Sequence, residues 1–440
     1  MSTGHVILNG YCGVTLLLLP CITLAAPASL QYQYGEQVFR MEPQKSWQET
    51  KEVPTYRGRE IRLEPGEALP SGVVMEEVST WSKIKIASTL DRLIGDALNR
   101  EAGSVRIFRD TNGDIAFEGV GLNGRKLDLD RAAELTLFAL KENVPIIQLP
   151  VAITEPNIVV DDPQLKAMGI TELVTIGESD YAGSPRNRVH NIVVGLARFH
   201  GQMISKGEEF SFGKILGPVN AQTGYLPELT ILGERTLPEF GGGLCQVSTT
   251  AYRGAWRAGL PITARRNHSY AVRYYSPAGT DATVYPPWTD MRFMNDTEGA
   301  LLIQTHHADE KAYFIYYGTK PLRSIELVGP FTWDPIAPPP DRIEYTEELP
   351  PGESRVVSKP VPGMKAMWYR IITEDEEEQE PEEFASFYEA RPYFEEIGAL
   401  LPLPGIVKTP ERNVIRLSEN ATITLLRRNG RTGPRIRIRR

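Results

Sequence analysis

Apolar residues recur at helical spacing in four stretches of the chain. Ile86, Leu90, Leu93, Ile94 and Ala97 fall on one face of residues 84–98. Leu129 to Glu142 (LDRAAELTLFALKE) is amphipathic, residues 190–205 set Ile192, Leu196, Phe199 and Met203 on one side, and residues 245–259 predict a further helix. Strand patterns lie between them. Val105 to Arg109 and Ile115 to Phe117 flank Asp110-Thr111-Asn112-Gly113-Asp114, the composition of a hairpin turn. Ile146 to Ile153 is apolar but interrupted by Pro150, which predicts a strand near a sheet edge. Beyond residue 259, strand-like runs appear at Tyr270 to Tyr275, Ala282 to Tyr285, Met291 to Met294, Leu301 to Thr305 and Tyr313 to Tyr317. Residues 29–83 are polar and mixed without a period, and predict an irregular or extended lead-in.

These elements imply an α+β multidomain chain. At 440 residues it exceeds what one core usually organises. The reading is an export segment at 1–28, the lead-in at 29–83, a small α+β module at 84–160 and a central domain at 186–318. In the central domain, two main helices (190–205 and 245–259) pack on a mostly antiparallel sheet. A β-rich module follows at 322–395, marked by the Pro-rich loops Ile336-Ala337-Pro338-Pro339-Pro340 and Leu349-Pro350-Pro351-Gly352 and by the acidic run Glu374 to Glu383. Residues 396–440 form a C-terminal segment whose last fourteen residues include seven Arg. That tail fits contact with anionic wall polymers or a membrane surface, or a solvated end with no specific role. The net charge of −8 argues against a nucleic acid as the general partner.

Val14 to Ala26 is almost wholly apolar, has the length of a signal-peptide core and is followed by Pro27-Ala28-Ser29. It predicts an exported protein of the cell envelope or exterior. No Lys or Arg precedes it, so a retained N-terminal anchor stays open. Export gives meaning to the cysteines. Cys12 and Cys21 lie in the export segment, leaving Cys245 as the single thiol of the mature chain. A lone cysteine in an exported protein is either buried and inert or reactive.

Cys245 sits in Phe240-Gly241-Gly242-Gly243-Leu244-Cys245-Gln246-Val247-Ser248-Thr249-Thr250, where three glycines run into the predicted helix. A helix N-terminus offers unpaired N–H donors and a partial positive charge, both of which favour a thiolate and can hold an oxyanion. The backbone at Gly243, Leu244 and Gln246 is the candidate oxyanion site. The plainer reading is a tight strand-to-helix turn carrying a small packed cysteine. A nucleophilic thiol needs a base and an orienting group. Of the histidines, His5 lies in the export segment, His200 reads as a core residue, and His306 and His307 sit near a hairpin end. His190 and His268 remain. His268 comes just before a strand-like run, 23 residues after Cys245, and Asp281 opens the next such run. No metal or other cofactor is implied, since Cys245 has no CxxC partner and His306-His307 is too local to build a site.

The motifs Asn187-Arg188-Val189-His190-Asn191-Ile192, Gly207-Glu208-Glu209-Phe210-Ser211-Phe212, Gly217-Pro218, Gly224-Tyr225, the glycine–cysteine run, His268-Ser269-Tyr270, Asp281-Ala282-Thr283-Val284 and Arg292-Phe293-Met294-Asn295-Asp296-Thr297 occur in that order over about 130 residues. Together they resemble the VanW domain, of a family named for its association with vancomycin-resistance clusters. The resemblance implies a cell-envelope role, and some members are regarded as cysteine-dependent L,D-transpeptidases of peptidoglycan. On that resemblance Cys245 is the nucleophile. His268 and Asp281 occupy family motifs, with roles as base and orienter inferred from their chemistry. Arg188, Asn191, Ser248 and Tyr270 are candidate substrate contacts. Gly121-Leu122-Asn123-Gly124-Arg125-Lys126-Leu127-Asp128, the helix after it and Pro150-Val151 resemble the peptidoglycan-binding domain that often precedes VanW. Leu349-Pro350-Pro351-Gly352-Glu353 and the strands that follow resemble the small extracellular domain named for five glycines.

The expected function is acyl transfer on peptidoglycan stem peptides. Two alternatives stay open: a cysteine peptidase or amidase of the same polymer, and a non-catalytic wall-binding scaffold in which Cys245 only packs.

Overall fold

The computed structural model describes residues 27–35, 37–61, 69–232 and 235–399, with short strands at 406–408, 415–417, 422–423 and 438–439. The apolar export segment at 14–26 and the charges of the Arg-rich tail lie outside the described residues. Among those described, no helix is long and apolar enough to cross a membrane. The chain is mixed, β-rich and multidomain, with several small sheets. It forms two units: one of residues up to 34, 38–98 and 126–152, the other of residues 35–37, 99–125 and 153–440.

In the first unit, helices Lys83–Leu90 and Leu129–Glu142 contribute to a core with Leu30, Tyr32, Trp47 and Leu98. The Leu129–Glu142 helix starts on Asp128, whose carboxylate accepts from the Arg131 N–H, and stops at Asn143 in the left-handed conformation. Of the irregular or extended lead-in expected at 29–83, much is extended and paired. Gln48–Tyr56 and Val73–Trp81 pair antiparallel over nine residues each. Most of their side chains are exposed or half-exposed on both faces, so neither strand carries an alternating apolar signal.

The module expected at 84–160 is divided between the two units. Its helices stay in the first. Its hairpin, Ser104–Arg109 with Ile115–Gly119, is joined in parallel by Asn157–Val160 in the second. Val105, Ile107 and Val160 are buried there with Leu302, Ile315 and Tyr317. Burial of these apolar faces, more than nearness in sequence, sets the grouping.

The second unit centres on four antiparallel strands: β1 (Glu172–Asp180), β2 (Met203–Ile204), β3 (Leu301–Ala308) and β4 (Lys311–Gly318), in the order β1-β4-β3-β2. The β3–β4 hairpin turns on Asp309 and Glu310, both at positive φ, as a two-residue turn that matches strand twist requires. Helix α1 (Arg186–Ala197) begins after Pro185, and α2 (Leu244–Arg257) begins on Gly243 at φ 113°.

Glycine faces glycine where α2 meets β1. A Cβ on Gly177 would lie 1.9 Å from the Thr250 carbonyl oxygen, and one on Gly254 would lie 2.9 Å from the Gly177 nitrogen. Gly177→Ala should therefore lower stability by about 1–3 kcal/mol, towards the upper end because the obstruction is backbone. Urea unfolding reads this directly, and an unchanged midpoint would disprove the close-contact account.

The β-rich module expected at 322–395 packs against the central domain. Its sheet of β5 (Arg323–Ile336), β6 (Gly363–Glu374) and β7 (Glu382–Tyr388), in that order, shares the core of α2. Alternation along β6 puts Ala366, Trp368, Arg370 and Ile372 on one buried face. The Trp368 ring meets Trp256 edge-on at 5.5 Å, and the Arg370 guanidinium donates to the carbonyls of Trp256 and Leu260, both at 3.0 Å.

Residues 270–275 and 282–285 are not strands, contrary to their apolar pattern. The first ends in a short 3-10 turn, and the second runs along α2 as irregular chain.

Candidate functional site

Helix α2 is buried nearly all round, and its polar residues are used to hold it. Ser248 Oγ donates to the Ala282 carbonyl (2.6 Å), Thr249 Oγ1 accepts from the Ala282 N–H (3.1 Å), and Thr250 Oγ1 lies 2.5 Å from Ser179 Oγ. Gln246 accepts from Arg188 (2.9 Å) and donates to the Asp180 carbonyl (3.1 Å). These bonds lock the helix against β1 on one side and against residues 280–284 on the other. Cys245 alone among the polar-capable residues of its first two turns stays half-buried.

Cys245 Sγ lies 3.5 Å from Thr283 Oγ1 and 3.7 Å from the Val284 carbonyl. The imidazole of His268 lies close enough to act on the ionisation of the thiol. His268 Nδ1 is 2.6 Å from Asp281 Oδ2, and the His268 backbone N–H donates to the same oxygen at 2.7 Å. The structure thus brings Cys245, His268 and Asp281 together, with the last two 9% and 2% exposed. The Tyr275 ring stacks on the imidazole at 4.4 Å, and its hydroxyl accepts from Arg188 (3.3 Å). Asp281 Oδ1 accepts from the Tyr388 hydroxyl (2.5 Å) and from Arg265 (3.3 Å).

The electrostatics follow from this packing. Burial pushes the Cys245 thiol up, but the hydrogen bond and charge of His268, helped by Thr283, outweigh it and bring the thiol down to about 7. Burial pushes His268 down, and Asp281 and Cys245 outweigh it, lifting the imidazole to about 9. Burial disfavours the Asp281 carboxylate, yet His268 and Arg265 hold it below the usual carboxylate range. The order of the free groups is inverted, so thiolate and imidazolium coexist between about 7 and 9. The contribution of the raised His268 to stability is complete below 6.5 and is lost as pH rises through about 9. That of the lowered Cys245 is complete above 9 and is lost as pH falls through about 7.

Several expected site residues prove to be interior supports. Asn191, fully buried, donates to the carbonyls of Leu226 (2.9 Å) and Gly242 (3.0 Å) and accepts from the Leu226 N–H (2.8 Å), so it fixes the glycine turn. Ser248 is spent on Ala282. Tyr270 is 4% exposed, with the Arg391 guanidinium 5.1 Å over its ring. Arg188, 7% exposed, is held by Ser184, Gln246 and Tyr275 and lies 4.1 Å over the Tyr274 ring. Each reads as a positioning group, because its polar atoms already have partners inside the protein.

Of the three expected oxyanion donors, two are already engaged. The Leu244 N–H donates to the Gly241 carbonyl (3.0 Å) and the Gln246 N–H to the Gly243 carbonyl (2.9 Å), so both are occupied. Among the described residues the Gly243 N–H makes no such bond, and neither does the Cys245 N–H. Gly243 supplies the left-handed turn that aims it.

Of the other histidines, His190 is exposed and bonds the Gly224 carbonyl. His200, expected in the core, is exposed on its outer edge, 4.8 Å from the Phe117 ring. Nothing in the spacing of the sequence pointed to Arg265, Tyr275, Thr283 or Tyr388.

Residues 187–317 match the family model described as VanW like protein, and residues 334–397 match the G5 domain. The chain therefore carries a VanW-like domain followed by a G5 domain. The uncharacterized protein YoaR of Bacillus subtilis is 34% identical over 124 residues, which is 28% of this chain and 41% of that protein. The vancomycin B-type resistance protein VanW of Enterococcus faecalis is 29% identical over 130 residues, covering 28% of this chain and 47% of that protein. The chain thus spans less than half the length of these relatives. A solved IgA1 protease G5 domain is 25% identical over 17% of this chain and 93% of its own, with a TM-score of 0.12.

Proposed function

We propose that the VanW-like domain performs cysteine-dependent acyl transfer on peptidoglycan stem peptides, as an L,D-transpeptidase-like enzyme of an exported envelope protein. The observation that carries this reading is the half-buried Cys245 thiol at the start of α2, facing an imidazole whose Nδ1 lies 2.6 Å from a buried carboxylate. A relative named for vancomycin B-type resistance supports the envelope setting.

The Cys245 thiolate attacks the carbonyl carbon of a stem-peptide amide next to a D-centre. The C–N bond breaks as His268 gives its proton to the leaving amine, and a thioester remains on Sγ. The amine of a second stem then attacks the thioester, His268 takes its proton, and the C–S bond breaks to return the thiolate. Asp281 holds the imidazole in the tautomer and orientation that both steps need. The Cys245 N–H faces the developing oxyanion, where one donor is typically worth about 2.7–4 kcal/mol.

The test is alkylation of the full chain with iodoacetamide from pH 5 to 10, followed at Cys245 by mass spectrometry. The rate should rise with a midpoint near 7. In His268→Ala it should rise towards 9, since the two largest contributions opposing burial, the hydrogen bond and charge of His268, are gone and only Thr283 and Val284 remain. The midpoint is the readout, because a thiolate of lower pKa is intrinsically less nucleophilic and rates at one pH mix the two effects. A thiol that labels only after denaturation would remove the acyl-transfer reading in favour of a scaffold. Where the pair is active, new cross-links on muropeptides distinguish transfer from hydrolysis.

A further inference from the structure

The end of β7 runs along the segment that carries His268, and every residue from 385 to 389 makes a contact there or one step behind it. The Ala385 carbonyl and Ser386 Oγ accept from Arg265 Nη1 (3.3 and 2.8 Å). The Phe387 carbonyl accepts from Asn267 Nδ2 (2.7 Å), and the Glu389 N–H donates to the Ser269 carbonyl (2.7 Å). Ser386 and Tyr388, two apart on the strand, project from the same face. Tyr388 is 2% exposed, and its hydroxyl accepts from the Gly279 N–H (2.7 Å) while donating to Asp281 Oδ1 (2.5 Å). These residues belong to the G5 match, so that domain forms a wall of the site.

We propose that Tyr388 is a positioning residue of the Cys245–His268–Asp281 site, through which the C-terminal domain fixes the rotation of the Asp281 carboxylate and thereby sets the ionisation of the thiol. This rests on the acyl-transfer reading only in needing the thiolate–imidazolium pair. With its hydroxyl proton on Oδ1 and its own oxygen pinned by Gly279, Tyr388 leaves Oδ2 aimed at both His268 donors. Without the hydroxyl, Oδ1 keeps only Arg265 Nη2 at 3.3 Å. The carboxylate is then free to turn towards that cation, and the imidazolium loses its partner. The charged or titratable groups around the pair are Tyr252 and Arg253 of α2, Arg265, Tyr275 with Arg188 behind it, and Tyr388 itself. Among the described residues, only Tyr388 and Arg265 bond the Asp281 side chain besides His268, and Arg265 is itself bonded to β7.

The experiment is the same alkylation titration on the full chain carrying Tyr388→Phe, with Tyr393→Phe as a control elsewhere in the domain and His268→Ala as a control on the pair. Tyr388→Phe should raise the Cys245 midpoint by about one pH unit, a roughly tenfold loss of thiolate well below the midpoint, with no change at the fully ionised plateau. Tyr393→Phe should titrate like the unaltered chain. A Tyr388→Phe midpoint that stays in place or falls overturns the proposal, even if the variant melts earlier, because lost packing alone does not move a thiol titration. If Tyr388→Phe does not fold, Ser386→Ala decides: it leaves Arg265 Nη1 only the Ala385 carbonyl at 3.3 Å, loosening the tie between β7 and Asp281, and should raise the midpoint by a smaller amount, and no rise overturns the proposal. A midpoint that His268→Ala leaves unmoved removes the pair itself. A midpoint that shifts in His268→Ala but not in Tyr388→Phe removes only the role given to Tyr388.

Discussion

Under the proposed acyl transfer, Asp281→Asn is expected to reduce the rate by about four orders of magnitude while leaving Cys245 in place. Asp281 Oδ2 accepts two hydrogen bonds, from the His268 backbone N–H at 2.7 Å and from Nδ1 at 2.6 Å. Oδ1 accepts two more, from Tyr388 and Arg265. All four partners are donors, so an asparagine amide has no good orientation. With its NH2 towards His268 it meets a backbone N–H and forces the imidazole to present Nδ1 as an acceptor, which puts the proton on the nitrogen facing the thiol. With its NH2 towards Arg265 it meets a guanidinium. Either way the imidazolium loses the charge that stabilises it, and the thiolate follows. Purified chain acting on muropeptides reads the rate, and the alkylation midpoint of Cys245 should rise in parallel. Activity within tenfold of the unaltered protein would refute the orienting role of Asp281.

The second large effect concerns stability. The Glu178 side chain on β1 is 4% exposed and meets three cations: Arg100 (3.3 Å), Arg125 (3.2 Å) and Lys311 (3.5 Å). Burial disfavours the carboxylate, and these cations outweigh it, bringing Glu178 down to about 2. Glu178→Gln leaves the cations in a poorly solvated place without their anion, and should cost about 3–5 kcal/mol at neutral pH. For a lowered acid the contribution is present above the ordinary value of 4.5 and is lost as pH falls towards about 2. The stability gap between the two proteins should therefore be wide at pH 7 in urea unfolding and close between pH 4.5 and 2. A gap below about 1 kcal/mol at pH 7, or one that does not narrow in acid, would show that the cluster is not a stabilising ion group. The cost should reach the site as well. The Glu178 carbonyl accepts from Arg253 of α2 (3.2 Å), and the Asp180 carbonyl two residues on accepts from Gln246 (3.1 Å).

Local periodicity made the helices legible. Leu129–Glu142 has the bounds its pattern predicts and α2 lies close to its own, whereas α1 starts at Arg186 and ends at Ala197, and Met203, expected on its apolar face, lies in strand β2. The hairpin around Asp110 to Asp114 follows from its turn chemistry. Where strands expose both faces, as in Gln48–Tyr56 and Val73–Trp81, no alternation exists to be read. Where irregular chain is mostly buried, as in residues 282–284, apolar residues imitate a strand.

The sequence by itself determined the helices, the glycine turn that opens α2, and Cys245, His268 and Asp281 as candidates, because each is written in a short run of neighbouring residues. The tertiary structure decided what those neighbours do. Only packing shows that Arg188, Asn191, Ser248 and Tyr270 have their polar groups or rings taken up inside the protein, and that the Leu244 and Gln246 N–H groups are spent within the turn. Only packing brings Tyr388 to Asp281 across 107 positions of chain. Hydrogen bonds and burial are set by distance in space, and a sequence records such distance only within an element or a turn.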